Sequence, residues 1–230
     1  FTNLRCVYRF LGSFSFQVSQ MRNGKTFELN PLDLIILETL RLFEPALYEA
    51  LPARREVLTE YKFDGIFSDD EKDKKTQQAE QTALLAPIGE SRRHALSEIL
   101  AELFPALFGH QHPDRQTMQR QLRVGHARYF DRYFTMSLAP EDVHQADLDA
   151  LRENFANSAA FVERCKLLKS RDLLATAFER LDAYSQDFPV SVFPHVITTL
   201  AEVGDMLPEK GDREFFSFDA LTHAYRLVHF

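Results

Sequence analysis

Apolar residues return every three to four positions along most of this chain, the period of a helix with one face against a core. From Thr2 to Gln20, Leu4, Val7, Tyr8, Leu11, Phe14 and Val18 keep that spacing, and Asn23-Gly24 supplies an ending. Asn30-Pro31 predicts the next start, with Asn capping the first free N–H groups and Pro in the first turn. Beyond it Leu32, Leu34, Ile35, Ile36, Leu37, Leu40, Leu42 and Phe43 surround most of the circumference, which predicts a central, buried helix. Glu44-Pro45 breaks that helix, and Ala46 to Leu51 continues briefly before Pro52.

The pattern then lapses. Residues 68–82, SDDEKDKKTQQAEQT, hold almost nothing to bury and predict a mobile loop or a solvated helix. It returns at Glu90 to Phe104, where Leu96, Ile99, Leu100, Leu103 and Phe104 share a face, and ends at Pro105. Gly109 to Gly125 is polar and predicts a loop or a short helix. In the segment from His126 to Phe134, Tyr129, Phe130, Tyr133 and Phe134 fall on one helical face; such a stripe is core or a docking surface. A short helix is expected from Glu141 to Leu151. Three more amphipathic helices follow, carrying Leu173 to Tyr184, Val192 to Val203, and, capped by Ser217, Phe218 to Val228. One echo stands out: Leu42-Phe43-Glu44-Pro45-Ala46-Leu47-Tyr48 against Leu103-Phe104-Pro105-Ala106-Leu107-Phe108, too little to establish a repeat. No region alternates apolar and polar residues over several strands, so the expected architecture is all-α, an irregular helical bundle.

Composition fits that picture. Gly (8) and Pro (10) are sparse for an all-β fold, and 21 Phe without Trp suit a packed interior or a partner-facing surface. No run of about 18 apolar residues occurs, so no membrane span is expected. Cys6 and Cys165 are far apart and outside any CxxC pattern, which predicts reduced core thiols. The net charge of −7 argues against nucleic acid as a partner. The chain opens on Phe1 within a helical pattern, and the expectation is a piece of a longer protein.

Catalytic patterns are missing. There is no GxxxxGK(S/T) loop to converge N–H groups on phosphate, no GxSxG elbow and no HExxH pair. His110 and His112, with His126, could ligate a metal, but isolated histidines in polar loops are usually solvated. Asp69, Asp70 and Asp73 lack the glycine and distal Glu of a calcium loop. Arg5 and Arg9, one helical turn apart, could grip phosphate with planar guanidinium forks, or could line a solvated face.

Three segments together resemble a known family. Asn3-Leu4-Arg5-Cys6-Val7-Tyr8-Arg9-Phe10-Leu11 is similar to the PR-x-(V/L)-K-R-F-(L/I)-N helix of KAP-family P-loop NTPases. The stretch from Leu29 to Tyr48, LNPLDLIILETLRLFEPALY, resembles their NP-x-D-(L/F)-x-x-L-E-x-(L/I)-R-x-F-x-P-x-(V/L)-Y, and His126 to Phe134 resembles H-P-x-Y-F-D-R-Y-F. The resemblance runs in order over roughly residues 1–138; residues 139–230 share only general helical character. Leu4, Tyr8, Gly12 and Ala127 stand where the family has Pro, Lys, Asn and Pro.

The resemblance implies a helical region, 1–138, with a C-terminal subdomain, 139–230, packed on it. Together they would serve as the lid and partner-binding part of an intracellular, cytoplasmic ATPase. Its P-loop and Walker B segments, and with them ATP and Mg, would belong to a preceding domain; no cofactor is expected for this chain alone. Arg5 would match the sensor-2-like arginine that closes over nucleotide, and Arg9 would be a second nucleotide-binding candidate. The implied partners are that P-loop domain and another protein or a homo-oligomer. Some members are linked to antiphage defence, and many bacterial ones carry membrane segments in their NTPase region. A self-contained helical adaptor with no nucleotide role is the alternative.

Overall fold

In the computed structural model, residues 3–60, 70–109, 113–184 and 203 are described, with 70–73 described in backbone only. Among them are twelve α-helices, one 3-10 turn and one two-stranded sheet, so the fold is all-α, an irregular helical bundle. It divides into two compact units, Phe1–Arg22 with Leu29–Ser137, and Asn23–Glu28 with Leu138–Phe230.

The first unit opens with α1 (Leu4–Gln20), whose first turn is capped by the Asn3 side chain accepting from the Cys6 N–H at 3.0 Å. After it comes a tight hairpin, β1 (Arg22–Asn23) and β2 (Thr26–Phe27), which belongs to the second unit from Asn23 on and turns at Gly24, whose φ of +62° suits glycine. α2 (Pro31–Phe43) starts where the sequence predicts: the Asn30 side chain accepts from the Leu32 and Asp33 N–H groups, with Pro31 in the first turn. Leu34, Leu37 and Leu40 are buried, but Leu32 and Ile35 are exposed. α2 is therefore not enclosed all round, as its apolar content predicts; one face lacks a neighbour among the described residues.

The chain continues through α3 (Pro45–Ala50), a 3-10 turn (Pro52–Arg54), α4 (Arg55–Thr59), α5 (Asp70–Leu85), α6 (Glu90–Leu103), α7 (Pro105–Phe108), α8 (Arg115–Arg120) and α9 (Ala127–Thr135). The charged stretch at 68–82 is thus helical from Asp70 on, fastened by the Gln77 and Gln81 amides donating to the Leu107 carbonyl at 2.8 and 2.6 Å. The sequence echo has a structural counterpart. α2 ends at Glu44 (φ −134°, ψ 58°) and α6 at Phe104 (φ −129°, ψ 65°). Each end residue donates its N–H to the carbonyl four back, Leu40 or Leu100, and each is followed by a proline that starts a short helix. A proline ring disfavours the helical conformation at the residue before it, so the two kinks share one cause.

Tyr129, Phe130 and Tyr133 on α9 are wholly buried, so the aromatic stripe is core. Phe130 packs against Phe104 and Phe134 with ring centroids 6.1 and 4.8 Å away.

The second unit contains α10 (Gln145–Glu153), α11 (Ser158–Ser170) and α12 (Leu174–Asp182). The Val143, Leu148, Leu151, Phe155, Phe161, Cys165, Leu168, Ala177, Phe178 and Leu181 side chains form its core, with Val203. Two buried polar groups order its entry. The Glu28 carboxylate receives the Gln145 N–H at 3.0 Å, capping α10 from outside the helix. Arg180 donates to the Val143 carbonyl and to Gln145 Oε1 (2.7 Å). α11 has no counterpart in the expectations. The predicted helices at 192–203 and 218–228 lie outside the described residues apart from Val203, which is buried.

Candidate functional site

Arg5 and Arg9 lie on the exposed side of α1, and among the described residues neither meets a hydrogen-bond acceptor or carboxylate. Their helix is unusual in what it buries. Its one buried residue is Gln17, while Leu4 (73% exposed), Tyr8 (72%), Leu11 (50%) and Phe16 (62%) face outward. The Leu4, Tyr8 and Leu11 stripe therefore does not turn into a core, as its helical spacing alone predicts.

What holds α1 in place is polar. Gln17 Nε2 donates to Glu38 Oε2 at 3.0 Å, and Arg41 Nη2 donates to Ser13 Oγ at 2.5 Å. Arg41 also grips both Glu38 oxygens, at 2.6 and 2.8 Å. These bonds to Glu38 raise the Arg41 pKa above its ordinary value against the opposing effect of burial. Ser13 meets Arg41 and Gln17 meets Glu38, so α1 and α2 run antiparallel. Gln17 Oε1 has no partner among the described residues, a cost that a satisfied acceptor would remove.

A second polar cluster fixes the start of α2. Asp33 Oδ2 accepts from Arg123 Nε at 3.0 Å and from the Val124 N–H at 2.8 Å. The Tyr133 hydroxyl accepts from the Asn30 N–H (2.7 Å) and donates to the Leu122 carbonyl (2.6 Å), and Asn30 Nδ2 donates to the Gln121 carbonyl (3.0 Å). Leu122 sits at φ +54°, a strained position that these bonds hold. Burial raises the Asp33 pKa, with the Arg123 charge and the Val124 N–H pulling the other way. Burial also pushes the Tyr133 phenol well above its usual range. Both groups are already engaged, so they shape the fold rather than offer a proton.

Arg123 also borders a cleft of about 490 Å³ lined by Glu98, Glu102, Pro105, Thr117 and Gln121 among others. Its guanidinium is already bound to Asp33 and to the Glu102 carbonyl and carboxylate. Among the described residues the cleft has no nucleophile–base pair, and none of them points to a particular ligand.

The other candidates resolve as follows. His126 is buried; its Nδ1 accepts from the Arg128 N–H at 3.3 Å and its ring packs on Tyr129, so it caps α9. His110 and His112 lie outside the described residues, as does Asp69, and the side chains of Asp70 and Asp73 are not described. Among the described residues, no three His, Cys, Asp or Glu side chains gather as a metal site would need. Cys165 is buried and its thiol is pushed up to about 12 by that burial, while Cys6 is half-buried on α1. Sequence reasoning missed Asp33, Glu38, Arg41 and Arg123. Asp33 had a readable signal, an acidic residue in the first turn after an Asn-Pro start.

No family model, curated protein or solved structure matches the chain. Among the described residues no helix is long and apolar enough to cross a membrane.

Proposed function

We propose that this chain is the helical lid and partner-binding region of a KAP-like P-loop ATPase of the cytoplasm, whose phosphate-binding loop lies outside these 230 residues. The observation that supports this reading is Arg5: an exposed guanidinium, uncommitted among the described residues, on a capped helix that a buried polar network fastens to α2. A guanidinium keeps its charge and presents a planar fork to phosphate oxygens. Brought against a transferring phosphoryl group, it stabilises charge that the reaction develops. ATP and Mg belong to the P-loop domain, and this chain supplies Arg5, with Arg9 one turn further on.

The test uses the complete parent protein. Arg5→Ala lowers ATP turnover by about 100-fold or more, Arg5→Lys recovers only part of it, and the thermal midpoint stays unchanged because the side chain is exposed. Normal turnover of the Arg5→Ala protein would end this reading.

One observation favours the adaptor reading: the exposed Leu4, Tyr8 and Leu11 suit protein contact with or without nucleotide. Absence of a P-loop from the parent protein would decide for it.

A further inference from the structure

α1 exposes apolar side chains and positive charge side by side. Leu4, Tyr8 and Leu11 recur at i, i+4 and i+7, so they form one stripe along the helix, and Arg5 and Arg9 flank it one turn apart. Between the two rows Gly12 leaves the backbone bare: a Cβ built there meets nothing within 4 Å. Glycine inside a helix destabilises it, and a close approach by another backbone is what such a bare position permits.

Charge narrows the choice of partner. The first 27 residues hold Arg5, Arg9, Arg22 and Lys25 and no Asp or Glu, within a chain of net charge −7, so the rest of the molecule carries −11. Within α1 itself the only charged side chains are Arg5 and Arg9, both positive, on the helix that also exposes apolar surface.

We infer that this face of α1 is the docking site for an acidic amphipathic helix of a protein partner. The partner's apolar stripe covers Leu4, Tyr8 and Leu11, and carboxylates one turn apart on its flank meet Arg5 and Arg9. The inference rests on the partner-binding half of the function proposed above; a carboxylate on Arg5 holds it away from phosphate, so docking here and nucleotide contact by Arg5 alternate rather than coincide. A second copy of α1 fits less well, because antiparallel pairing sets the arginine flank of one helix against that of the other, and like charges repel. An anionic bilayer fits less well too. Interfacial helices carry a strongly cationic polar face, whereas α1 has two cations within a chain of net negative charge.

The test titrates the 230-residue chain against two helical 20-residue peptides sharing one leucine stripe. One carries glutamate pairs at i and i+4 on its flank, and the other carries lysines at the same places; binding is read by fluorescence anisotropy. The glutamate peptide binds at least about tenfold tighter than the lysine peptide. Arg5→Glu with Arg9→Glu reverses that order, and Leu4→Ser with Tyr8→Ser weakens both peptides. All four side chains are exposed, so circular dichroism of the variants stays unchanged.

No binding of the glutamate peptide, or equal binding of the two, overturns the inference. So does a self-association that Leu4→Ser abolishes, which assigns the face to a second copy. Co-sedimentation with phosphatidylserine vesicles that the same change abolishes assigns it to a membrane. None of these results touches ATP turnover in the parent protein, so the nucleotide reading stands or falls on its own experiment.

Discussion

Asp33 shows how one side chain can organise a polar turn. Its Oδ2 alone receives the Arg123 guanidinium and the Val124 N–H, and the residue is 1% exposed. Asp33→Ala leaves the Arg123 Nε and the buried Val124 N–H without their acceptor, while Arg123 keeps Glu102, and the expected loss is about 3 kcal/mol in denaturant unfolding. Asp33→Asn keeps an oxygen for Val124 and loses less. Burial of Asp33, opposed by Arg123 and the Val124 N–H, also fixes a pH dependence. Because the folded-state pKa of Asp33 is raised from 3.8, the folded protein holds its proton longer than the unfolded chain does. As pH rises from 3.8 through that raised value, the wild type therefore loses stability relative to Asp33→Asn, and above that window the difference is flat. Urea unfolding of both proteins across acidic pH measures this; a difference that grows in favour of the wild type would reverse the sign.

At the scale of elements, two glycines make opposite predictions. Gly12 lies inside α1 with open space around it, so Gly12→Ala raises thermal stability by up to about 1 kcal/mol. At Gly125 an added Cβ falls 2.5 Å from the Leu103 carbonyl oxygen, a backbone atom that cannot swing aside, so Gly125→Ala costs about 2 kcal/mol. Chemical denaturation of the two variants should move in opposite directions. The same elements mark what the sequence could say. Helix starts at Asn30-Pro31 and breaks at Pro45 and Pro105 were legible, because capping and proline geometry act locally. Apolar period told that α1 is a helix but not that Leu4, Tyr8 and Leu11 face outward, since spacing is blind to whether a neighbour is there. α11 was missed: Ser158–Ser170 mixes Phe161, Cys165 and Leu168 with charged residues and an exposed Leu167, which blurs its face. Arg5 and Arg9 are candidates by residue type, and their spacing told only that they share one face of α1. The Asp33–Arg123 pair spans 90 positions, and Arg123 sits in a stretch that reads as polar loop, so no local pattern could join them.

For the molecule as a whole, charge decides more than any motif does. There are 27 Lys and Arg against 34 Asp and Glu, and many of the arginines are already bound to the chain's own carboxylates. Arg41 pairs with Glu38, Arg54 with Glu80, Arg55 with Asp131, Arg92 with Glu44, Arg123 with Asp33 and Arg171 with Asp147. A protein that binds duplex DNA without sequence preference commonly neutralises about six to ten phosphates, each adding about 0.9 to the slope of log affinity against log salt. The exposed arginines of α1 offer two such contacts, a slope near −2, within a molecule whose net charge repels the polyanion. The chain is therefore expected to leave a fluorescent 20-base-pair duplex unbound at 0.15 M salt, up to about 100 µM protein. Anisotropy that rises below that concentration, with a salt slope steeper than −4, would mean that cations outside α1 gather into a phosphate-binding face.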